Sequence, residues 1–242
     1  MKTSLLSLMH LILIIFAAGC SENSFYSDQY ESETIENQVV ALSTQTDFSI
    51  ENTNGSIIIS TADTAKNIYC GISKKVKSKI SKEDAREYLS RINIATSKDN
   101  SGVTIKVDHP KNDNRTYEIK FNILMPDNFN YNLNLGNGDI TVNSSTKNLV
   151  INVGNGTVES NVVLADTCRA AVSIGNGSLN LVIPGSTNAT VNALVGNGTI
   201  SSNGLNFQNQ QSANQKFTGT LGNGTGSITL NVGNGTIIMS RK

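Results

Sequence analysis

Apolar and polar residues alternate along most of this chain, and the alternation recurs around a Gly-Asn-Gly triplet. The triplet occurs at 136–138, 154–156, 175–177, 196–198, 222–224 and 233–235. An apolar residue immediately precedes every triplet. In five of the six copies a second apolar residue lies five positions after the first, as Ile140 does after Leu135. A period of two indicates strands with one buried face. Each unit is therefore predicted to be a strand, a Gly-Asn-Gly turn and a second strand.

The spacing between triplets decides how these units are arranged. Successive triplets are 18, 21, 21, 26 and 11 residues apart. Intervals of 18 to 21 residues suit one coil of a β-solenoid, in which stacked coils bury the apolar face and align the asparagines. We predict an all-β fold, a β-solenoid or β-roll of short strands with Gly-Asn-Gly turns. A meander sandwich built from Asn-Gly hairpins is the alternative. The final spacing predicts a compressed or capping last coil.

The N-terminal half follows the same pattern with one interruption. Residues 52–59 are a degenerate copy of the unit, and strand-like runs follow it up to Leu124. Ser81 to Asp84 is typical of a capped helix start, after which four apolar or aromatic residues share one face. These four are Ala85, Tyr88, Leu89 and Ile92. One short helix is predicted here, as a cover at the side or end of the sheet.

The first residues indicate export and a lipid anchor. Lys2 precedes an apolar run from Leu5 to Ala18, which is too short to span a bilayer comfortably. The run ends in small residues followed by Cys20, which resembles a bacterial lipobox. Residues 1–19 are therefore predicted to be a lipoprotein signal peptide, and Cys20 the lipidation site, with palmitate as an acyl group. An ordinary cleaved signal with a chance cysteine is the alternative.

A polar, acidic segment follows the lipobox. Residues 20–38 are predicted to be the lipidated cysteine and a flexible tether, and residues 39–242 a single β-strand-repeat domain. Ser21 follows the cysteine, and by analogy with bacterial sorting this favours the outer membrane. The protein is expected to be exported and membrane-anchored, in the outer membrane or at the cell surface.

Charge and composition narrow the classes of function. The 242 residues carry 19 Lys and Arg and 19 Asp and Glu, so the formal net charge is zero and nucleic acid is not an expected partner. Residues 136–242 hold 16 of the 20 glycines and only 8 charged side chains. Such a composition does not suit a helical bundle.

Four features, in this order, resemble the putative-adhesin family of bacterial β-strand-repeat domains. They are the run from Phe48 to Ile59, the helix followed by Ile92 to Ile94, the strand from Tyr117 to Pro126, and the array of Asn-Gly units. The match covers about residues 39–242. The adhesin-head domain of Bacteroidota-type lipoproteins is a close alternative. The resemblance implies an envelope or surface β-solenoid.

Little in the sequence points to catalysis or metal binding. His109, in a polar turn, is expected to be a solvated side chain, and no catalytic, cofactor-binding or metal-ligating residue is predicted. A calcium ladder would need repeated carboxylates, yet only one triplet is followed by an acid, Asp139. A polysaccharide-active β-helix enzyme would need two acids close together. The acids that the array offers for this are Asp139, Glu159 and Asp166.

Two further groups of residues are expected to have structural roles. Cys70 and Cys168 share strand parity with apolar neighbours and are expected in the core, unpaired. The four lysines between Lys74 and Lys79 are expected to form a solvated strand edge, with binding to anionic lipid headgroups as the functional alternative.

The predicted function is that of a lipid-anchored, non-catalytic envelope protein. Its partners would be the membrane, through the N-terminal lipid, and a surface glycan or an envelope protein. A structural or stress-response envelope component that contacts lipids or envelope proteins is the second hypothesis, and the polysaccharide-active enzyme the third.

Overall fold

The computed structural model describes residues 29–111 and 114–242. This part of the chain is nearly all β-strand with one short helix, which confirms the predicted all-β class. The elements in chain order are β1 (Tyr30–Ala41), β2 (Asp47–Thr61), β3 (Asn67–Ser78), α1 (Lys82–Leu89), β4 (Asn93–Lys98), β5 (Gly102–Asp108), β6 (Arg115–Met125), β7 (Phe129–Ile183), β8 (Ala189–Asn203), β9 (Gln208–Ala213), β10 (Lys216–Leu221) and β11 (Gly226–Arg241).

Six segments share one shape, and we call each a rung: one arm of strand, an Asn-Gly bend and a second arm. Rung 1 is β2, rungs 2, 3 and 4 are residues 130–144, 148–162 and 169–183 of β7, rung 5 is β11 and rung 6 is β8. Rungs 1 and 2, 4 and 5, and 5 and 6 pair in parallel with their bends in register. Within β7 the bend glycines are in direct contact, because a Cβ on Gly156 would lie 1.8 Å from the Gly138 carbonyl oxygen. The rungs therefore form one stack.

The order of the rungs in the stack differs from their order along the chain. β11 is the last strand, yet it lies between rung 4 and rung 6, which precedes it in sequence. Gly235 pairs with Gly177 on one side and with Gly198 on the other. The prediction of a compressed or capping last coil is therefore wrong. The short spacing arises because triplet 222–224 is a turn between β10 and β11 and lies outside the stack.

The other five Gly-Asn-Gly triplets bend strands without ending them, which corrects the predicted turns. Strand pairing continues through these triplets, and the second glycine of each has a positive φ between 125° and 146°. Glycine adopts this conformation at little cost, whereas a residue with a Cβ does not. The hairpin alternative is also wrong for these copies. The bends of rungs 2, 4, 5 and 6 each pair in parallel with a bend on another rung, and Gly156 of rung 3 lies against Gly138 of rung 2.

Both arms of the rungs bury their apolar side chains in one hydrophobic cluster. In rung 2, Leu133 and Leu135 of the first arm and Ile140 and Val142 of the second are at most 3% exposed. Full burial of such side chains stabilises a fold by roughly 1.5–3 kcal/mol each. Because the core runs along the stack, each rung depends on its neighbours for burial.

The N-terminal strands extend the sheet beyond rung 1 in the order β1, β3, β6, β2. β1 pairs antiparallel with β3 from Tyr30 to Ala41. The predicted tether is therefore wrong for residues 30–38, which belong to a strand at the sheet edge. Its acidic side chains face the lysines of β3, and this pairing was not visible from the local composition.

The helix is confirmed at its predicted place. Ser81 is its N-cap, and its hydroxyl accepts a hydrogen bond of 3.1 Å from the backbone N–H of Asp84. Ala85 and Leu89 are buried, and α1 packs against β1 and β3. The helix covers the edge of the sheet away from the later rungs.

Candidate binding surface

A ladder of asparagine side chains runs along the bends of all six rungs. Each amide donates its Nδ2–H to the Oδ1 of the asparagine on the rung before it. The Nδ2 to Oδ1 distances are 2.7 Å for Asn137 to Asn54, Asn155 to Asn137, Asn176 to Asn155 and Asn234 to Asn176, and 2.8 Å for Asn197 to Asn234. The predicted alignment of the asparagines is thus observed. The ladder fixes the amide planes and stabilises the register of the rungs.

A second column of polar residues lies beside the first glycines of the bends. The glycines leave bare backbone, so a shallow cavity of about 650 Å³ opens along rungs 1 to 4, and we call it the trench. Its lining includes Asn134, Asn152 and Ser173, one per rung, and the glycines Gly136, Gly154 and Gly175. No side chain can replace these glycines cheaply, because a Cβ on Gly154 would lie 2.4 Å from the Gly136 carbonyl oxygen.

Rung 1 carries a buried amide on the core-facing side of its bend. Asn52 occupies the column that is apolar in the other rungs and is only 4% exposed. Its Nδ2 donates to the carbonyl oxygens of Ile119 at 2.8 Å and Asn54 at 3.3 Å, which fixes the orientation of the amide. Its Oδ1 is buried and accepts no hydrogen bond from any described residue. Such an unpaired acceptor is costly in a protein interior.

The trench carries almost no charge. Glu51 is the one ionisable residue in its lining, and Lys106 lies 3.8 Å from the Glu51 carboxylate. The surface can therefore offer neutral donors and acceptors, but it offers no cationic group to an anionic ligand.

The lysines of β3 are matched with the acids of β1, which corrects the interpretation of a free, solvated lysine edge. Lys74 Nζ lies 2.9 Å from Glu36, and Lys77 Nζ lies 3.1 Å from Glu31. Lys75 lies 3.8 Å from both Glu31 and Glu33. These pairs close the strand edge and reduce the positive charge available to lipid headgroups.

The three array carboxylates do not come together as a catalytic set. Asp139 accepts the backbone N–H of Thr157 at 3.0 Å, and Asp166 accepts the side-chain amide of Asn188 at 2.9 Å. No hydrogen bond in the described part of the chain joins Asp139, Glu159 or Asp166 to another of the three.

A different pair of carboxylates was missed by the sequence analysis. Asp63 and Asp127 are hydrogen-bonded to each other, which raises the pKa of Asp63. Partial burial opposes ionisation of Asp127, but hydrogen bonds from Thr61, Ser145 and Asp63 leave its pKa below the usual value. Parallel pairing of β2 and β6 brings the residues that follow both strands to one edge. The sequence does not show that β2 pairs with β6, and without that pairing the two carboxylates cannot be placed together.

His109 is not a solvated loop side chain. Its ring stacks on Tyr117 with centroids 4.3 Å apart, and its Nδ1 lies 3.2 Å from the Pro110 carbonyl oxygen. Its Nε2 is buried without a hydrogen-bond partner among residues 29–111 and 114–242. The histidine packs against the base of β6.

Cys70 and Cys168 are both free and 2% exposed, so their assignment to the core is confirmed. Burial, with a smaller contribution from Glu36, raises the pKa of Cys70 to about 12. Burial also raises the pKa of Cys168. Cys20 lies outside the described residues, and its lipidation stays a prediction.

The described residues were also searched for metal-binding clusters and for helices that could cross a membrane. They contain no group of three or more His, Cys, Asp and Glu side chains placed to hold a metal ion. Their one helix, α1, has eight residues, and no helix among them has the length and apolar character to cross a membrane.

Neither a family model nor a curated protein matches the chain. A solved structure of a "putative cell adhesion protein" from Clostridium sporogenes is similar, with a TM-score of 0.52 at 17% identity over 87% of this chain and 100% of the other. A "putative adhesin" from Bacteroides fragilis has a TM-score of 0.32 at 13% identity over 86% and 98% of the two chains. One from Parabacteroides distasonis has a TM-score of 0.25 at 9% identity over 85% and 97%. The first similarity supports an adhesin-like fold for this chain.

Proposed function

We propose that this protein is a lipid-anchored component of the bacterial cell envelope that adheres to surface polymers or envelope proteins and is not an enzyme. The observation that carries the proposal is the stack of six rungs, which repeats neutral amide side chains along an exposed face. The likeness of the fold to the Clostridium sporogenes protein, which is named for cell adhesion, supports it.

The stack is best interpreted as a β-solenoid in which each rung is one coil. Parallel, in-register pairing of the bends and the shared core support this interpretation. A solenoid suits adhesion because it repeats one weak contact at a fixed spacing along a rigid surface, and linked weak contacts add up to strong attachment.

The anchor places this surface close to a membrane. Cleavage before Cys20 would leave nine residues, 21–29, between the lipid and the start of β1 at Tyr30. Nine residues reach at most about 30 Å. We therefore expect the domain to work near the membrane that holds it, in the outer membrane or at the cell surface, where neighbouring polymers lie within reach.

Binding of the mature, unlipidated protein to immobilised glycans, matrix proteins and liposomes tests the proposal. Saturable binding to a glycan or a protein is expected. Binding to anionic liposomes that is lost when Lys74, Lys75, Lys77 and Lys79 are replaced would favour the second hypothesis, a lipid-contacting envelope component. The ion pairs of Lys74, Lys75 and Lys77 with β1 give that hypothesis less support. Absence of all binding would contradict the adhesive function.

A further inference from the structure

A cluster of exposed apolar side chains lies on the outer face of the N-terminal strands. Val39 of β1 pairs with Tyr69 of β3, and Tyr69 pairs with Leu124 of β6, so the three side chains form one row across the sheet. Ile35 lies on the same face of β1, and Ile58, in the second arm of rung 1, is the diagonal neighbour of Leu124. We call this cluster the apolar patch: Ile35, Val39, Ile58, Tyr69 and Leu124.

The patch faces away from the core. Ile68, Cys70 and Ile72 alternate with the patch side of β3 and are buried. On the other face, Ile35 and Val39 are 63% and 60% exposed, although both are aliphatic. A group of exposed apolar side chains on one surface indicates contact with a partner or a membrane.

The patch is confined to the end of the sheet at which the chain enters. On rung 2 the residue paired with Ile58 is Thr141. On rung 3 the residue three positions after the bend glycine, where Ile58 stands in rung 1, is Glu159. The patch is therefore a property of the N-terminal strands and not of the repeat.

The outer face beside the patch has no net charge. Its charged side chains on β1, β3 and β6 are three glutamates and three lysines, joined in ion pairs with N to O distances of 2.8 to 3.8 Å. They are Glu31, Glu33, Glu118, Lys75, Lys77 and Lys120. A partner of strong charge of either sign gains little from such a face. Apolar contact is therefore the interaction that this face offers.

The predicted anchor is joined to the domain at the patch. Residues 21–29 connect Cys20 to β1 and reach at most about 30 Å. In the sheet order β11 lies seven strands beyond β1, which is about 34 Å at 4.8 Å per strand. A bilayer that holds the lipid is therefore nearest to the N-terminal strands, and β1 itself carries Ile35 and Val39.

The chemistry of the patch fits the interface of a lipid bilayer. Aliphatic side chains enter the acyl boundary of that interface, and a tyrosine ring lies at headgroup level with its hydroxyl in water. We propose that the apolar patch contacts the bilayer that holds the anchor and thereby fixes the orientation of the rungs relative to the membrane; this inference rests on the lipid anchor of the proposed function. Five side chains bind weakly by themselves, and the anchor supplies the local concentration that makes the contact persist.

Single tryptophans in protein coupled to vesicles test the contact, because the natural chain contains no Trp. Mature protein that begins at Cys20 is coupled through that thiol to a maleimide lipid in phosphatidylcholine vesicles. Cys70 and Cys168 are buried and do not compete for the maleimide. The vesicles contain either ordinary acyl chains or brominated ones, which quench a tryptophan that enters the bilayer. Chemical coupling makes the result independent of lipidation in the cell.

Ile58→Trp places the probe in the patch, and Ile238→Trp is the matched control. The two isoleucines occupy the same position in rungs 1 and 5 and are 39% and 37% exposed, but Asn180 and Ser201 flank Ile238. We expect brominated lipid to quench the probe at position 58 about threefold more than the probe at position 238, because only the apolar surface enters the interface. The emission at position 58 should also shift to shorter wavelength on coupling.

Removal of the patch gives a second measurement. In the Ile58→Trp protein, Ile35→Ser together with Val39→Ser should lower the quenching to that of the Ile238→Trp control. Both residues are mostly exposed and lie on an edge strand, so the variant should fold. Quenching at position 58 should not change with added salt, because the face has no net charge.

Equal quenching of the two probes, or none at position 58, would overturn the inference. Quenching that requires anionic phosphatidylglycerol and disappears at high salt would also overturn it, in favour of attraction by the lysines. A blue shift at position 58 that grows with protein concentration in the absence of vesicles would show that a second copy of the chain covers the patch instead. These results leave the adhesive function standing, whereas failure of the anchor itself would appear separately, as unchanged fractionation of the Cys20→Ala variant in cells.

Discussion

Among single residues, the bend glycines matter most, because they allow the rungs to stack closely at the bends. A Cβ on Gly235 would lie 1.7 Å from the Gly177 carbonyl oxygen, and φ at Gly235 is 145°. The alanine side chain would therefore meet both a clash and an unfavourable backbone conformation, in a rung that has neighbours on both sides.

We expect Gly235→Ala to lower the free energy of unfolding by about 1–3 kcal/mol. The loss should equal that of Gly156→Ala and exceed that of Gly198→Ala. The first arm of rung 6 is covered by β10, but the described residues pair its second arm, from Gly198 on, with β11 alone, so this arm can shift outward. Gly71→Ala is the control, since its Cβ would have its nearest contact at 3.6 Å and no positive φ is required. Urea denaturation of the four variants measures this. A smaller loss at Gly235 than at Gly198 would contradict the interior position of β11.

The two buried thiols give a second residue-scale prediction. Because burial raises the pKa of both Cys70 and Cys168, neither is a thiolate near neutral pH. In protein that begins at Ser21, we expect no reaction with Ellman's reagent at pH 8 until denaturant is added, and then two thiols per chain. One thiol that reacts rapidly in the native protein would show that its strand opens readily.

At the scale of elements, α1 is held to the sheet by one charged cluster. Asp84 binds the guanidinium of Arg115 on β6 through two hydrogen bonds and also accepts the hydroxyl of Ser78 on β3. Arg115 lies over the ring of Tyr88, 3.4 Å from its centroid. Hydrogen bonds from Arg115 and Ser78 hold the pKa of Asp84 below its usual range.

Asp84→Asn should therefore destabilise the protein in a pH-dependent way. A carboxyl whose pKa is lowered on folding stabilises the fold above its unfolded pKa, near 4, and loses that contribution as the pH falls through the folded value. We expect the variant to have a lower melting temperature than the natural protein at pH 7, and the difference to shrink below pH 4. Glu87→Gln is the control, because it removes a carboxylate of α1 whose ion pair, with Arg91, is exposed and does not reach the sheet. A difference that stayed constant from pH 7 to pH 2 would exclude the ion pair as its cause.

At the scale of the whole molecule, the insertion of β11 between two earlier rungs makes stability depend on the last residues of the chain. Removal of residues 226–242 would leave rungs 4 and 6 without the strand that pairs with both. We expect this truncated protein to lose hydrogen-exchange protection across residues 169–203 and to unfold at much lower denaturant. A variant that lacks residues 29–41, the edge strand β1, should keep the protection of those rungs. Full protection of 169–203 after the C-terminal truncation would show that rung 6 can close directly onto rung 4.

The anchor is also a property of the whole molecule. Cys20→Ala should move the protein from the membrane fraction to the soluble fraction and abolish labelling by a fatty-acid analogue. Cys70→Ala and Cys168→Ala are matched controls, because both thiols are buried in the domain. Acyl label retained by the Cys20→Ala variant would show that the anchor lies elsewhere.

Local patterns in the sequence were enough to locate most of the strands, the helix and the column of asparagines, although they missed most of β1. The alternation around Leu133, Leu135 and Ile140 and the cap at Ser81 are local signals, and local signals survive in whatever fold the chain adopts. The same alternation predicted that Cys70 and Cys168 are buried, because both lie at positions equivalent to those of their apolar neighbours.

Which strands are neighbours could be learned only from the three-dimensional arrangement of the chain. The place of β11, the pairing of β1 with β3 and the contact of Asp63 with Asp127 all join residues far apart in sequence. No local pattern encodes them, because every rung carries nearly the same residues and could pair with any other. The trench and the unpaired Oδ1 of Asn52 exist only because particular rungs lie side by side, so the candidate site depends on an order that the repeat itself leaves open.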